Sequence, residues 1–216
     1  MSGKFYIQYV KPIVDYIGAL ILIILFSPIA LITIIAIKLD SKGPIFVEVS
    51  NRVGKDQEEF YLYKFRSMIQ NARELLSTDE KFSKLYAEYK KNSYKLVDDP
   101  RITRVGKFIR KYSVDELPQL INVLRGEMSL IGPRAYYPDE FIDQQKKYPE
   151  TRALIKKVIS IKPGITGLWQ VSGRSEINFD KRVEMDARYV DNISLWNDIS
   201  IVIKTPWAMI SGKGAL

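Results

Sequence analysis

The sequence predicts an α+β protein, mostly helical with a short β-hairpin, that begins with an apolar membrane helix broken at Ser27-Pro28. A nearly uninterrupted apolar run occupies residues 13–37, and the chain turns polar from Ser41 onward. The polar part contains two strand-like segments on either side of Gly54, followed by stretches with apolar residues at helical spacing. We therefore divide the 216 residues into a membrane segment, residues 1–40, and a globular domain, residues 41–216.

The apolar run is long enough to enter a bilayer. About 25 residues make roughly 37 Å of α-helix, which exceeds the ~30 Å of a hydrocarbon core. Pro28 lies inside the run, where a proline removes one helical hydrogen bond and costs ~3 kcal/mol. We expect the Ser27 hydroxyl to bond a carbonyl that this proline frees one turn back.

Three arrangements fit this segment. A kinked helix crosses the membrane, a helix bends at Ser27-Pro28 and returns to the same face, or a helix is buried in a soluble protein. The length of the segment and the general frequency of spanning helices favour the helix that crosses the membrane. Lysines on both flanks weaken it, because lysine concentrates on the cytoplasmic side of membrane segments; they are Lys4, Lys11, Lys38 and Lys42.

The pieces IFVEVS and EFYLYKFRSM, separated by NRVGKDQ, predict a β-hairpin within residues 45–68. Alternation places Lys64 and Arg66 on one face of the second strand, where two cations could grip an anion. An ordinary exposed polar face is the alternative.

Residues 71–96 predict a charged surface helix, and the glycines of residues 158–174 predict a loop that a ligand approaches closely.

A final helical region spans residues 180–210, with interruptions at Asn192 and Pro206. Trp196 and Trp207 suit a membrane interface, where tryptophan is enriched. Core packing explains Trp196 equally well.

Composition restricts the chemistry. The chain has no histidine and no cysteine, so acids, bases, nucleophiles and metal ligands come from carboxylates, lysines and hydroxyls. Oxygen ligands favour magnesium, manganese or calcium. A formal charge of +8 and a pI of about 9.4 suit an anionic partner. No phosphate-loop or dinucleotide fingerprint is present.

The adjacent carboxylates Asp115 and Glu116 are the leading candidates for chemistry. Ser113 and Glu116 have the spacing of a capping box, which predicts a helix N-terminus here. With Arg110 just upstream and a Gly-Pro turn aiming Arg134 back toward the pair, we expect Asp115 to stay ionised. An ionised carboxylate among cations points to attack on a phosphate. The alternative is a helix cap with solvated acidic residues.

Six segments, one of which contains this pair, follow one another in a fixed order along the chain. They are the apolar segment with Ser27-Pro28, YKFRSM (63–68), DPRITRVGKFIRK (99–111), DELPQL (115–120), GEMSLIGPR (126–134) and KPGITGLWQVSGR (162–174). In these motifs and their spacing the chain resembles the bacterial sugar transferases, in the short form of the monotopic phosphoglycosyl transferases. The resemblance covers nearly the whole chain, although residues 71–96 match no family motif.

The resemblance implies a two-step reaction with Asp115 as nucleophile. Asp115 would attack the β-phosphate of a UDP-sugar and release UMP, and polyprenyl (undecaprenyl) phosphate would then take the phosphosugar from the enzyme. Glu116 would assist the acceptor, and Asp115 and Glu116 would hold Mg²⁺. The remaining residues expected at the site, as phosphate ligands or polar neighbours, are Arg110, Arg134, Lys64, Arg66, Arg52 and Asp186.

The resemblance also implies that the membrane segment is re-entrant, with the catalytic domain on the cytoplasmic face of the bacterial inner membrane. The expected partners are a UDP-sugar, polyprenyl phosphate and the phospholipid membrane, with no nucleic acid. A membrane-anchored phosphohydrolase and a binding protein for anionic lipids are the rival functions. The sugar and the pathway stay open, as does the oligomeric state, a homodimer included.

Overall fold

The computed structural model of the chain describes residues 3–91, 96, 99–173 and 177–211. These residues form a mostly helical α+β fold, as predicted. The helices are α1 Gly3–Phe5, α2 Lys11–Asp40, α3 Ala72–Thr78, α4 Ser83–Lys91, α5 Arg104–Lys111, α6 Gln119–Leu124, α7 Pro138–Lys147, α8 Arg152–Val158, α9 Phe179–Asp191 and α10 Leu195–Ser211. The strands are β1 Phe46–Val53, β2 Glu59–Phe65, β3 Ser129–Ile131 and β4 Gly164–Thr166.

The predicted hairpin is confirmed. Strands β1 and β2 pair antiparallel from Phe46 opposite Phe65 to Val53 opposite Glu59, with a shift of register between Val49 and Arg52. The alternation of burial along β2 breaks at its end, because Phe65 is buried although it lies on the opposite face from the buried Phe60 and Leu62. The end of this strand therefore has protein on both faces.

A second, parallel pair was not predicted, because β4 lies in the glycine-rich segment interpreted as a loop. Strands β3 and β4 pair from Ser129 opposite Gly164 to Ile131 opposite Thr166. A Cβ on Gly164 would lie 2.0 Å from the backbone nitrogen of Gly132. The two backbone segments therefore approach this closely only because both residues are glycine. This contact holds the turn that carries Arg134.

Helix α2 is a single helix of 30 residues that continues through Pro28. Pro28 leaves one helical hydrogen bond unmade, at the position where the sequence predicts the break. The freed carbonyl belongs to Ile24, and the Ser27 hydroxyl donates to it at 2.8 Å, as expected. The described residues contain this one helix long and apolar enough to cross a membrane.

Both ends of α2 contact the same globular body. Near its start, Lys11 donates to Asp198 at 2.8 Å and Asp15 accepts from Ser129 at 2.7 Å. Near its end, Ile37 is buried in a cluster with Phe65. Between them, Ala19 is fully buried against β2 and α6. The opposite face of α2 is exposed and apolar.

The remaining helices agree with the sequence in outline. The segment predicted as a surface helix forms α3 and α4, while residues 92–95 lie outside the described part of the chain. The interruption at Asn192 is confirmed, since it caps α9, whereas Pro206 lies inside α10 without ending it. Trp196 and Trp207 are 79% and 77% exposed, which excludes core packing for Trp196.

Candidate active site

Asp115 and Glu116 lie in a short 3₁₀ turn between α5 and α6. The predicted capping box is wrong: Ser113 adopts a left-handed backbone with φ 56° and its side chain makes no capping hydrogen bond. The helix after the turn begins only at Gln119. The pair thus precedes a helix N-terminus by about one turn, and the left-handed Ser113 redirects the chain after α5.

Helix α6 is anchored to the hairpin by Asn122, whose side chain is completely buried. Its amide oxygen accepts from the Tyr63 backbone N–H at 3.1 Å, and its nitrogen donates to the Tyr61 carbonyl at 2.7 Å. These bonds bring the strand that carries Lys64 against the turn that carries Asp115. The sequence offered no signal for this link beyond an asparagine in an apolar helix.

Lys64 joins the two carboxylates. Its Nζ lies 2.6 Å from Glu116 Oε1 and 3.7 Å from Asp115 Oδ2. Asp115 is 6% exposed, whereas Glu116 and Lys64 are partly open to solvent. The structure therefore brings together three of the residues that the resemblance implies, and it leaves an open side next to Glu116.

The expectation that Asp115 stays readily ionised is not supported. Burial raises the pKa of the Asp115 carboxyl, and the neighbouring Glu116 raises it further. Lys64 and Arg110 lower the pKa, but burial dominates and the net direction is upward. Arg110 is thus within electrostatic reach of Asp115, from the last turn of α5.

Arg134 approaches the site from the turn after β3. Its backbone N–H donates to Asp186 at 3.1 Å, and its guanidinium lies 5.3 Å from the centre of the Trp169 ring. Burial alone would lower the pKa of Arg134, but nearby groups that include Glu140 and Glu116 outweigh it and raise the pKa. Arg134 therefore lies within electrostatic reach of Glu116.

Behind Arg134 lies a buried cluster that the sequence identified only in part. Arg52 is 5% exposed, donates to the Ala135 carbonyl at 3.1 Å and stacks on Tyr137 at 3.3 Å. Arg182, which the sequence analysis missed, is fully buried 3.6 Å from Glu140. Its guanidinium lies 5.3 Å from the Trp169 ring, as that of Arg134 does. The i, i+4 spacing of Arg182 and Asp186 on one helix was an available signal.

Asp186 hydrogen-bonds to the segment that carries Arg134. Its Oδ2 accepts from the Arg134 backbone and from the Tyr136 hydroxyl at 3.0 Å. Complete burial raises its pKa to about 7, although both of these hydrogen bonds and the nearby Arg182 and Arg134 act to lower it. This residue therefore changes its protonation near neutral pH.

We expect Asp186→Asn to remove a pH dependence of stability. The pKa of Asp186 is about 7 in the folded state and 3.8 in the unfolded state. Between pH 3.8 and 7, Asp186 is therefore protonated in the native state and ionised in the unfolded state. The wild type then loses stability as pH rises through this window, in total by about 4 kcal/mol. Asparagine keeps an acceptor for Arg134 and does not titrate. Melting temperatures in detergent from pH 4.5 to 8 measure the effect.

The exposed Asp191→Asn is the control and should keep the wild-type profile. Parallel profiles for the wild type and Asp186→Asn would show that Asp186 is charged throughout and contradict the assignment.

Arg66 does not join the site. Its guanidinium donates to the carbonyls of Ser41, at 2.8 Å, and of Lys42. It also donates to the Ile37 carbonyl in the last turn of α2 at 3.5 Å, and so caps the C-terminal end of this helix, where unpaired carbonyls need donors. The prediction that Arg66 and Lys64 grip one anion is therefore corrected, because the two side chains serve different partners.

The two carboxylates fit a magnesium ion only if the phosphates of a substrate supply further oxygen ligands. Among the described residues no group of three or more Asp, Glu, His or Cys side chains could hold a metal. Magnesium commonly binds one or two carboxylates together with substrate phosphates. Asp115 and Glu116 meet that requirement, and the Lys64 ammonium already lies against both of them. Magnesium stays a prediction.

The fold and the site define a class of protein: an α+β domain on an apolar anchoring helix, with a buried carboxylate pair flanked by lysine and arginine. The chain belongs to the bacterial sugar transferase family, whose model matches residues 6–212. The resemblance inferred from the motifs is thereby confirmed.

Several curated proteins are similar to this chain. A UDP-galactose-lipid carrier transferase of Erwinia amylovora is 42% identical over 96% of this chain and 42% of its own length. An undecaprenyl-phosphate galactose phosphotransferase of Salmonella typhimurium is 40% identical over 96% of this chain and 42% of its own. The exopolysaccharide production protein ExoY of Rhizobium meliloti is 38% identical over 93% of this chain and 85% of its own. The chain spans less than half the length of the first two relatives.

Proposed function

We propose that the protein is a phosphoglycosyl transferase that moves sugar 1-phosphate from a UDP-sugar to undecaprenyl phosphate and releases UMP. The observation that carries this proposal is the Lys64-bridged pair of Asp115 and Glu116, with Arg110 and Arg134 within electrostatic reach. The names of the relatives, which include sugar phosphotransferases acting on undecaprenyl phosphate, support it.

In the first step an Asp115 oxygen attacks the β-phosphorus of the UDP-sugar. A bond forms between that oxygen and phosphorus, the bond from the β-phosphorus to the bridging oxygen breaks, and UMP leaves with the electron pair. In the second step a phosphate oxygen of the lipid attacks the same phosphorus, which returns Asp115 as a carboxylate. Neither step leaves a net proton on the enzyme.

The electrostatics of the site suit this sequence. Asp115 must be ionised to attack, and its buried position makes the carboxylate poorly solvated and hence reactive. Lys64 and Arg110 offset the cost of that charge, and Arg134 with Arg110 would hold phosphate oxygens as negative charge builds up. Glu116, on the more open side, would assist the acceptor. Mg²⁺, held by Asp115 and Glu116, would neutralise charge on the phosphates.

We further propose that residues 1–40 form a re-entrant anchor and that residues 41–216 form a catalytic domain on the cytoplasmic face of the inner membrane. A helix that spans a bilayer has its ends on opposite sides. The first turn of α2 contacts Asp198 and its last turn contacts Phe65, and both belong to one folded body. That body exposes further apolar side chains along α10, including Trp196, Ile203 and Trp207, which suit an interface.

The test is a donor screen with purified protein in detergent. UDP-galactose and UDP-N-acetylgalactosamine come first, because relatives carry these sugars in their names. We expect sustained UMP release only with undecaprenyl phosphate present, matched one to one by lipid diphosphate sugar. Sustained UMP release without a lipid acceptor would instead indicate the phosphohydrolase. Binding of anionic lipid without turnover of any donor would indicate the lipid-binding protein.

A further inference from the structure

Helix α5 presents a stripe of basic and aromatic side chains to solvent. Arg104, Lys107, Phe108 and Lys111 have the i, i+3, i+4, i+7 spacing of one helix face, and all four are exposed. Phe108 is 63% exposed. We call these four residues the α5 face. Phe108 contacts the Tyr112 ring, 5.0 Å away between centroids, but most of its surface stays exposed on the same helix face as three cations.

The opposite side of α5 fixes this orientation. Ile109 is 2% exposed and packs with Ile37 and Phe65. A Cβ on Gly106 would lie 1.9 Å from the Ser67 carbonyl oxygen, so the helix is pressed directly against the chain that follows β2. The α5 face therefore cannot rotate inward without breaking this contact.

The α5 face continues a surface at the end of the membrane helix. The Val105 N–H donates to Asp40 at 3.3 Å, which ties the start of α5 to the last residue of α2. Next to Asp40, Lys38 and Lys42 are exposed and Leu39 is 83% exposed. Cations and apolar side chains thus alternate across both elements.

We propose that the α5 face binds the headgroups of anionic phospholipids, with Phe108 inserted at the boundary between headgroups and acyl chains. This proposal rests on the membrane placement given under the proposed function. A soluble anion would need the cations alone, whereas the exposed Phe108 and Leu39 favour an amphipathic surface. A zwitterionic membrane would not engage three cations, so the lipid is an anionic one such as phosphatidylglycerol.

Docking of this face has a consequence for the active site. Helix α5 leads directly into the catalytic turn, where the Ser113 N–H donates to the Arg110 carbonyl at 3.1 Å. Binding of α5 to headgroups would therefore hold Asp115 close to the layer in which a lipid phosphate lies. Anionic lipid is expected to increase turnover of the lipid acceptor several-fold.

A depth measurement tests the docking without relying on activity. The chain has no cysteine, so Phe108→Cys accepts a single spin label. In nanodiscs with phosphatidylglycerol we expect the label to become accessible to oxygen and protected from a water-soluble relaxation agent, and in pure phosphatidylcholine we expect neither.

Each basic residue near an anionic surface contributes about five-fold in affinity, so three contribute about 100-fold. Arg104→Gln/Lys107→Gln/Lys111→Gln should abolish the immersion, and 0.5 M salt should weaken it.

The matched control is Lys147→Gln/Arg152→Gln/Lys156→Gln, which removes three exposed cations from α7 and α8. These helices pack on a core cluster that contains no residue of α2, so this variant should keep the label immersed. Immersion in pure phosphatidylcholine, or a label exposed to water in both membranes, would overturn the proposal.

Turnover of the lipid acceptor tests whether docking of the α5 face affects the active site. The α5-face triple variant should match the wild type in detergent but lose the stimulation by phosphatidylglycerol in nanodiscs. Equal stimulation in both proteins would contradict the coupling. Absence of turnover in every form would count against the proposed function, while the spin label still decides the docking.

Discussion

Asp115→Asn is expected to abolish turnover, lowering both UMP release and lipid product by at least about 10³-fold. The amide has the shape of the carboxylate but cannot attack phosphorus. Glu116 remains to pair with Lys64, because their contact is the shorter one, at 2.6 Å. The fold should therefore survive the change. Mass spectrometry of the wild type with donor alone should find a phosphosugar on Asp115, and the variant should carry none.

Asp56→Asn is the matched control, since Asp56 is exposed in the hairpin turn and its left-handed backbone suits asparagine. It should retain wild-type turnover. An adduct on another residue, or turnover by Asp115→Asn close to that of the wild type, would contradict the assigned nucleophile.

Asp198→Ala is expected to have the largest effect on stability, a loss of about 3–5 kcal/mol. Asp198 is 4% exposed and accepts from Lys11 at 2.8 Å, Tyr6 at 2.8 Å and Tyr189 at 2.7 Å. Alanine leaves the Lys11 ammonium buried without its closest acceptor and releases the start of α2 from the body. Thermal denaturation in detergent should show a decrease on the order of 10 °C.

Two comparisons isolate the cause of that loss. Asp191→Ala removes another aspartate that pairs with a lysine, Lys157, but both side chains are largely exposed, so it should cost less than about 1 kcal/mol. Adding Lys11→Met to Asp198→Ala should recover part of the stability, because the unpaired ammonium is removed. Equal losses for Asp198→Ala and Asp191→Ala would show that the buried network does not anchor α2.

Local sequence predicted the features that depend on neighbours in the chain. The hairpin around Gly54, the apolar helix and the Ser27 bond beside Pro28 all follow from periodicity and from the chemistry of adjacent residues. The capping box failed, although its spacing was correct. The left-handed Ser113 that redirects the chain leaves the Ser113 side chain without the bond a cap requires.

Residues far apart in the chain were harder to assign. Arg66 and Lys64 share a strand face in the sequence, but Arg66 binds carbonyls at the end of α2 and Lys64 pairs with Glu116. Arg182 was missed, because its i, i+4 spacing with Asp186 on one helix does not by itself show that it is buried beside Glu140 and Trp169. Arg174, the last residue of the glycine-rich motif, lies outside the described part of the chain.

By itself, the sequence determined the family and the helical α+β class, and it singled out the carboxylate pair as the candidate centre of chemistry, because ordered motifs and the absence of histidine and cysteine are properties of the chain alone. Tertiary structure decided which cations meet that pair and how deeply Asp115 is buried. It also decided that both ends of α2 contact one body. Burial and long-range pairing depend on how distant segments pack, and that packing raises the pKa of Asp115 where local charges alone would lower it.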